Sequence, residues 1–265
     1  MIHKIHMGEE LPSVQGGKPY VIIGHNQSVA DFSEVVFPAD VRRCTHCHEQ
    51  DTGAKQATAY LKPNRAACGA CHDNVNFATG LNHGGMPQIS DNLCAGCHIP
   101  QGELEFDVSI MGAHTIPQFS SALPGVVVKL LKVDDGAAGK KPTLTFSLKD
   151  KAGKPLLPSN LNRLTFRLTG PTSDYTAATN VSEDARKATG TADGIYFWTF
   201  QTPIPADAKG SYAIGVEARN LVTLLPGTEK EQKDIRDLAF NDVIYFSVDG
   251  TPVAPRRTTV SLSVK

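Results

Sequence analysis

The 265-residue sequence predicts two unlike halves: a mostly irregular domain with short helices over residues 1–122, then an all-β antiparallel sandwich or Greek-key barrel over residues 123–265. Three observations carry this division. All six cysteines fall in the first half, as three Cys-x-x-Cys-His repeats. Apolar residues adopt a two-residue period only after Pro124. Charge changes sign near the same place: residues 1–122 hold 7 Lys and Arg against 12 Asp and Glu, whereas residues 123–265 hold 19 against 15. A length of 265 residues suits two domains.

The repeats are Cys44-Thr45-His46-Cys47-His48, Cys68-Gly69-Ala70-Cys71-His72 and Cys94-Ala95-Gly96-Cys97-His98. Cys-x-x-Cys-His is the attachment pattern of a c-type haem: two thiols join the porphyrin, and the following His is the proximal iron ligand. A redox dithiol does not need a His after every pair. A zinc ribbon uses two pairs and would orphan the third. A disulfide framework fits the even count, but a Cys-x-x-Cys pair closes a strained ring rather than a structural staple. The sequence therefore implies three covalent haems, with Cys44, Cys47, Cys68, Cys71, Cys94 and Cys97 as attachment points. His48, His72 and His98 are the proximal ligands.

Taken in order, the chain begins with His3 and His6 at i and i+3. In a helix they share one face, and Gly8 serves as its stop. A loop with Gly16-Gly17 follows, then the short apolar run 20–24. Arg42 and Arg43 precede the first repeat, where they pair with haem propionates or serve the surface. The repeats are 24 and 26 residues apart, counted between their first cysteines. That leaves room for one short helix or loop per haem, so the porphyrins must fill much of the core and folding should depend on them.

Two further histidines sit in distinctive settings: His83 in Asn82-His83-Gly84-Gly85, and His114 in Met111-Gly112-Ala113-His114. Glycines allow close approach of the backbone to a flat ring. His3, His6, His83 and His114 are the candidate distal ligands, and the spacing leaves open which serves which iron. His46 is read as solvent-facing, and His25 stays ambiguous. Met7, Met86 and Met111 are weaker substitutes. Nine histidines supply three bis-His irons with spares. Closed six-coordinate irons carry electrons, whereas a catalytic haem needs an open position. An electron carrier is therefore expected, and at most a terminal metal reductase. The alternatives are a multihaem reductase with one open-site haem, and a docking module built on the β half.

In the second half, strands are expected at 126–130, 143–148, 164–168, 195–200, 212–216, 243–248 and 260–264. Residues 228–238, rich in Glu and Lys, read as a helical turn or exposed loop. This half has no His or Cys, and Trp198 reads as core. Nothing in the charge balance, −1 overall, points to nucleic acid. No apolar run reaches membrane-spanning length. The first residues lack the apolar stretch of a leader, although c-type haem is attached outside the cytoplasm. The expectation is a fragment or a chain without its leader.

Residues 1–8, Asp31-Phe32-Ser33 through Phe37-Pro38, the three Cys-x-x-Cys-His repeats and Asn82-His83-Gly84-Gly85 together resemble the OmcA/MtrC family of outer-membrane decahaem cytochromes. In that family five-haem domains alternate with β-domains. The resemblance implies the last three haems of a five-haem domain plus the following β-domain. It also implies distal ligands at His3, His6, His83 and His114, one more than three irons use. It implies a Gram-negative periplasm or cell surface, other multihaem cytochromes as donor or acceptor, and extracellular metal oxides or flavins as acceptors. The Cys pair of some relatives' β-domains is absent here, so a redox disulfide is not implied.

Overall fold

The computed structural model describes residues 1–48, 53, 55–175 and 180–255. The chain divides into two compact units, Met1–Ile116 and Pro117–Lys265. The break lies ahead of the expected 122/123 boundary. The turn Pro117–Phe119 contacts the strand Gln232–Leu238, so these residues belong with the β unit.

The first unit contains five helices among its described residues: α1 (Ile2–Met7), α2 (Pro12–Gln15), α3 (Arg65–Cys68), α4 (Cys94–Cys97) and α5 (Ile110–Ala113). None exceeds six residues, too short to persist on its own hydrogen bonds. Local caps help. The Asn64 side chain accepts from Ala67 N, and Ser109 accepts from Gly112 N. A small hairpin pairs β1 (Val21–Ile23) with β2 (Val29–Asp31). Among the described residues, this unit buries only Leu11, Ala57 and Ile116 as apolar core. Ile2, Leu81, Met86, Ile89, Leu93 and Val108 all lie exposed. Among the described residues, side chains alone bury little apolar surface in this unit.

The second unit is an antiparallel β structure of two sheets sharing one core. The first sheet has β3 (Val127–Asp134), β4 (Thr143–Lys149), β8 (Ile195–Thr199) and β7 (Thr189–Gly190), in that order. The second runs β10 (Gln232–Leu238), β9 (Ser211–Leu224), β5 (Arg163–Thr169), β6 (Val181–Asp184). The long β9 pairs with β10 along its second half and with β11 (Val243–Ser247) along its first. Alternate residues point inward: Leu144, Phe146 and Leu148 on β4, and Leu164, Phe166 and Leu168 on β5, are all buried. Phe146 and Phe166 meet edge-to-face, with ring centres 4.8 Å apart. Trp198 packs against this core and donates its indole N–H to Glu183 at 3.1 Å.

Six expected strands coincide with β3, β4, β5, β8, β9 and β11; the seventh, 260–264, lies outside the described residues. Of the stretch 228–238, expected as a helical turn or exposed loop, Gln232–Leu238 forms the strand β10 instead. Ile235 and Asp237 alternate into the interior, and the Asp237 carboxylate accepts from Gly125 N at 2.7 Å. An inward aspartate satisfied by a distant backbone N–H hides the apolar alternation that marks a strand.

Candidate haem-binding centres

One backbone bond recurs in all three repeats. The N–H of the histidine donates to the carbonyl of the first cysteine: His48 to Cys44 at 2.9 Å, His72 to Cys68 at 2.9 Å and His98 to Cys94 at 2.8 Å. Each repeat is thus a single helical turn, and the histidine follows both thiols on it. All six thiols are free. Burial pushes the Cys44 and Cys71 thiols up, and Cys44 itself adds to the effect on Cys71. The first and second repeats therefore lie within electrostatic reach of each other.

Each repeat histidine faces one imidazole from elsewhere in the unit. Ring centres are 6.1 Å apart for His3 and His48, 6.2 Å for His72 and His114, and 6.0 Å for His83 and His98. A metal–imidazole bond is about 2.0–2.1 Å, and a ring centre sits roughly 1.1 Å behind its nitrogen, so two imidazoles on one metal have centres about 6 Å apart. Simple edge contacts between rings span a similar range. They do not explain why all three repeat histidines, and no other described pair of histidines, are matched in this way.

The second ring nitrogen is committed in several cases. Nδ1 of His48 lies 2.9 Å from Gln56 O, Nδ1 of His83 lies 2.9 Å from Met86 O, and Nδ1 of His114 lies 2.7 Å from Ile110 O. A carbonyl only accepts, so Nδ1 carries the proton and Nε2 keeps its lone pair for a metal. Burial, then the facing His48, lowers the pKa of His3; burial, then the facing His114, lowers that of His72. Both shifts favour the neutral, ligating form.

The local fold accounts for each far-side histidine. His3 stands on α1, which ends at Gly8 (φ 46°). His83 sits in a tight loop with Gly80, Gly84 and Gly85 all at positive φ. A Cβ on Gly80 would come within 2.6 Å of the Gly85 and Met86 backbone. His114 caps α5, whose Ser109 bonds to Asp107. Among the described residues, no three His, Cys, Asp or Glu converge on one point. Paired imidazoles suit a metal that brings its own equatorial nitrogens, as porphyrin iron does. The exposed apolar side chains of this unit suit a flat apolar macrocycle. By donor chemistry and spacing, the residues fit haem c.

The other candidates stand apart. His6 shares α1 with His3, but its ring lies against Phe37, 5.3 Å between centres, and Nδ1 is 3.0 Å from Ile2 O. His46 and His25 are exposed. Arg42 is clamped on Asp40 through Nε at 2.9 Å and Nη2 at 2.6 Å. Sequence reasoning missed Lys4, Ser13 and Asp73, which form a part-buried cluster. The one available signal was that Asp73 directly follows His72.

Residues 1–114 match a family model described as outer membrane cytochrome MtrC/MtrF-like, domains II/IV. Two solved structures share the fold. The outer membrane decaheme cytochrome OmcA aligns with 97% of this chain and 42% of its own, at 20% identity and a TM-score of 0.63. MtrC from Shewanella baltica OS185 aligns with 82% of this chain and 38% of its own, at 18% identity and a TM-score of 0.56. The chain thus spans about two fifths of the length of these solved chains. No curated protein matches it. Residues 1–114 are thus similar to MtrC/MtrF-like outer membrane cytochromes, and the chain shares its fold with OmcA and MtrC.

Proposed function

We propose that the first unit holds three covalently attached c-type haems with bis-His axial ligation and serves as an electron carrier. The match of residues 1–114 to the MtrC/MtrF-like model supports extracellular electron transfer in general terms. The assignment of ligands rests on one observation, the three imidazole pairs at 6.0–6.2 Å. His48 and His3 serve the haem on Cys44 and Cys47. His72 and His114 serve the haem on Cys68 and Cys71, and His98 and His83 the one on Cys94 and Cys97.

Bound there, haem iron supplies a one-electron Fe(III)/Fe(II) couple. The chain's residues do the rest. The cysteines would hold the macrocycle and two imidazoles its iron, leaving no site for water or substrate, while backbone carbonyls hold Nδ1–H of His48, His83 and His114 so that Nε2 is free to ligate. A reductase would need a repeat histidine with no facing imidazole, and each of the three has one. His6 is left over for an iron whose own repeat lies elsewhere. Donors and acceptors are other multihaem cytochromes, with extracellular metal oxides or flavins as terminal acceptors; the β unit spaces or docks the haem unit.

Pyridine haemochrome quantitation with intact mass tests this directly. Three covalent haems per chain are expected. A matured sample with the mass of the bare polypeptide overturns the proposal.

A further inference from the structure

One buried carboxylate joins two of these centres, and we propose Asp73 as a positioning residue that seats His3 opposite His48. The inference rests on the ligand assignment above. Asp73 directly follows His72, so its backbone is fixed by the second repeat. Its side chain, 4% exposed, reaches into the N-terminal helices. Oδ2 accepts from Lys4 Nζ at 2.9 Å and from Ser13 Oγ at 2.6 Å, and Oδ1 accepts from Ser13 N at 2.9 Å.

Lys4 is the neighbour of His3 on α1, and Ser13 is on α2. Asp73 therefore pins both helices at once. That matters because α1 has six residues and cannot hold its own shape. Its C-terminal end has a separate anchor. Gly8 is buried, the next N–H, from Glu9, donates to Val35 O at 3.1 Å, and a Cβ on Gly8 would lie 2.0 Å from that same oxygen. Gly8 fixes where the helix ends. The Lys4–Asp73 contact fixes its rotation, which decides whether His3 or a neighbour faces His48. The pair is half-sheltered: the Lys4 side chain is 29% exposed and the Asp73 side chain 4%, so removing Lys4 leaves a mostly buried carboxylate without its cation.

The arrangement has a consequence for two irons. The second repeat supplies His72 to its own haem and, through Asp73, the seat of a ligand to the first haem. A disturbance at Asp73 should then be read at the centre held by His48 and not only at the one beside it.

The test uses the full matured chain and its D73A, D73N, K4M and H3A variants. Haem count, absorption and electron paramagnetic resonance are measured with and without added imidazole. H3A should leave one haem high-spin. D73A and K4M should show a high-spin fraction at that same centre, with all haems retained, and added imidazole should return it to low-spin. D73N, which keeps one acceptor oxygen, should fall between wild type and D73A. A merely structural tie would lower stability without an imidazole-reversible signal. If H3A is high-spin while D73A and K4M stay wholly low-spin, Asp73 has no positioning role and the ligand assignment stands. If H3A itself stays low-spin, the assignment beneath the proposal fails, and the proposal with it. Should D73A fail to mature, K4M leaves the second repeat untouched and decides alone: a high-spin fraction supports the proposal and its absence overturns it.

Discussion

The rings of His72 and His114 stand 6.2 Å apart, centre to centre, although one closes the second cysteine repeat and the other caps a helix late in the same unit. His6, on the same helix as His3, has a phenylalanine ring as its aromatic neighbour instead. The two histidines therefore have different fates under substitution. H114A should turn one haem high-spin, with a charge-transfer band near the red end of the spectrum and binding of cyanide. H6A should leave all three low-spin. Absorption and magnetic resonance of the two variants check this, and a low-spin H114A would refute the pairing.

The loop carrying His83 depends on Gly80. Its φ of 79° already disfavours other residues, by about 1–2 kcal/mol, and a Cβ would overlap the backbone of Gly85 and Met86 at 2.6 Å. G80A should displace His83 and give the centre held by His98 a high-spin component. G84A meets only the end of the Met86 side chain at 3.5 Å, so its effect should be smaller. Spin-state spectra of the pair measure the difference.

In the β unit, Phe166 is fully buried against Phe146. F166A should cost about 3–5 kcal/mol of stability, the usual range for emptying an aromatic site. Chemical denaturation followed by far-ultraviolet circular dichroism gives the figure. The haem signals should be unaffected until that unit unfolds.

Asp249 gives the same unit an acid dependence. The Thr251 hydroxyl, then the Gly210 and Thr251 backbone N–H groups, hold its carboxyl well below the usual carboxylate range. A carboxyl depressed in the folded state stabilises above its unfolded value of about 3.9, and that contribution is lost as pH falls toward the folded value. Wild type should therefore exceed D249N in denaturation midpoint near neutral pH, with the gap shrinking as pH drops below about 4. A gap that is constant with pH would contradict this account.

Much of the molecule could be read before any fold was known, and the reasons are local. Covalent haem attachment needs two thiols and an imidazole within one turn, so a candidate such as Cys44 to His48 is legible as a contiguous string. Strands such as Thr143–Lys149 show their alternation because one face is apolar and the other is not. β10 escaped because Asp237 takes an inward place that an apolar residue would normally fill.

Sequence alone determined that three Cys-x-x-Cys-His repeats and a surplus of imidazoles share the first unit, because that pattern is fixed by residue type and short spacing. Tertiary structure decided which imidazole faces which repeat, laid the His6 ring against Phe37, and tied Asp73 to α1 and α2. Those facts depend on contacts between segments far apart in the chain, where distance along the sequence carries no information about distance in space.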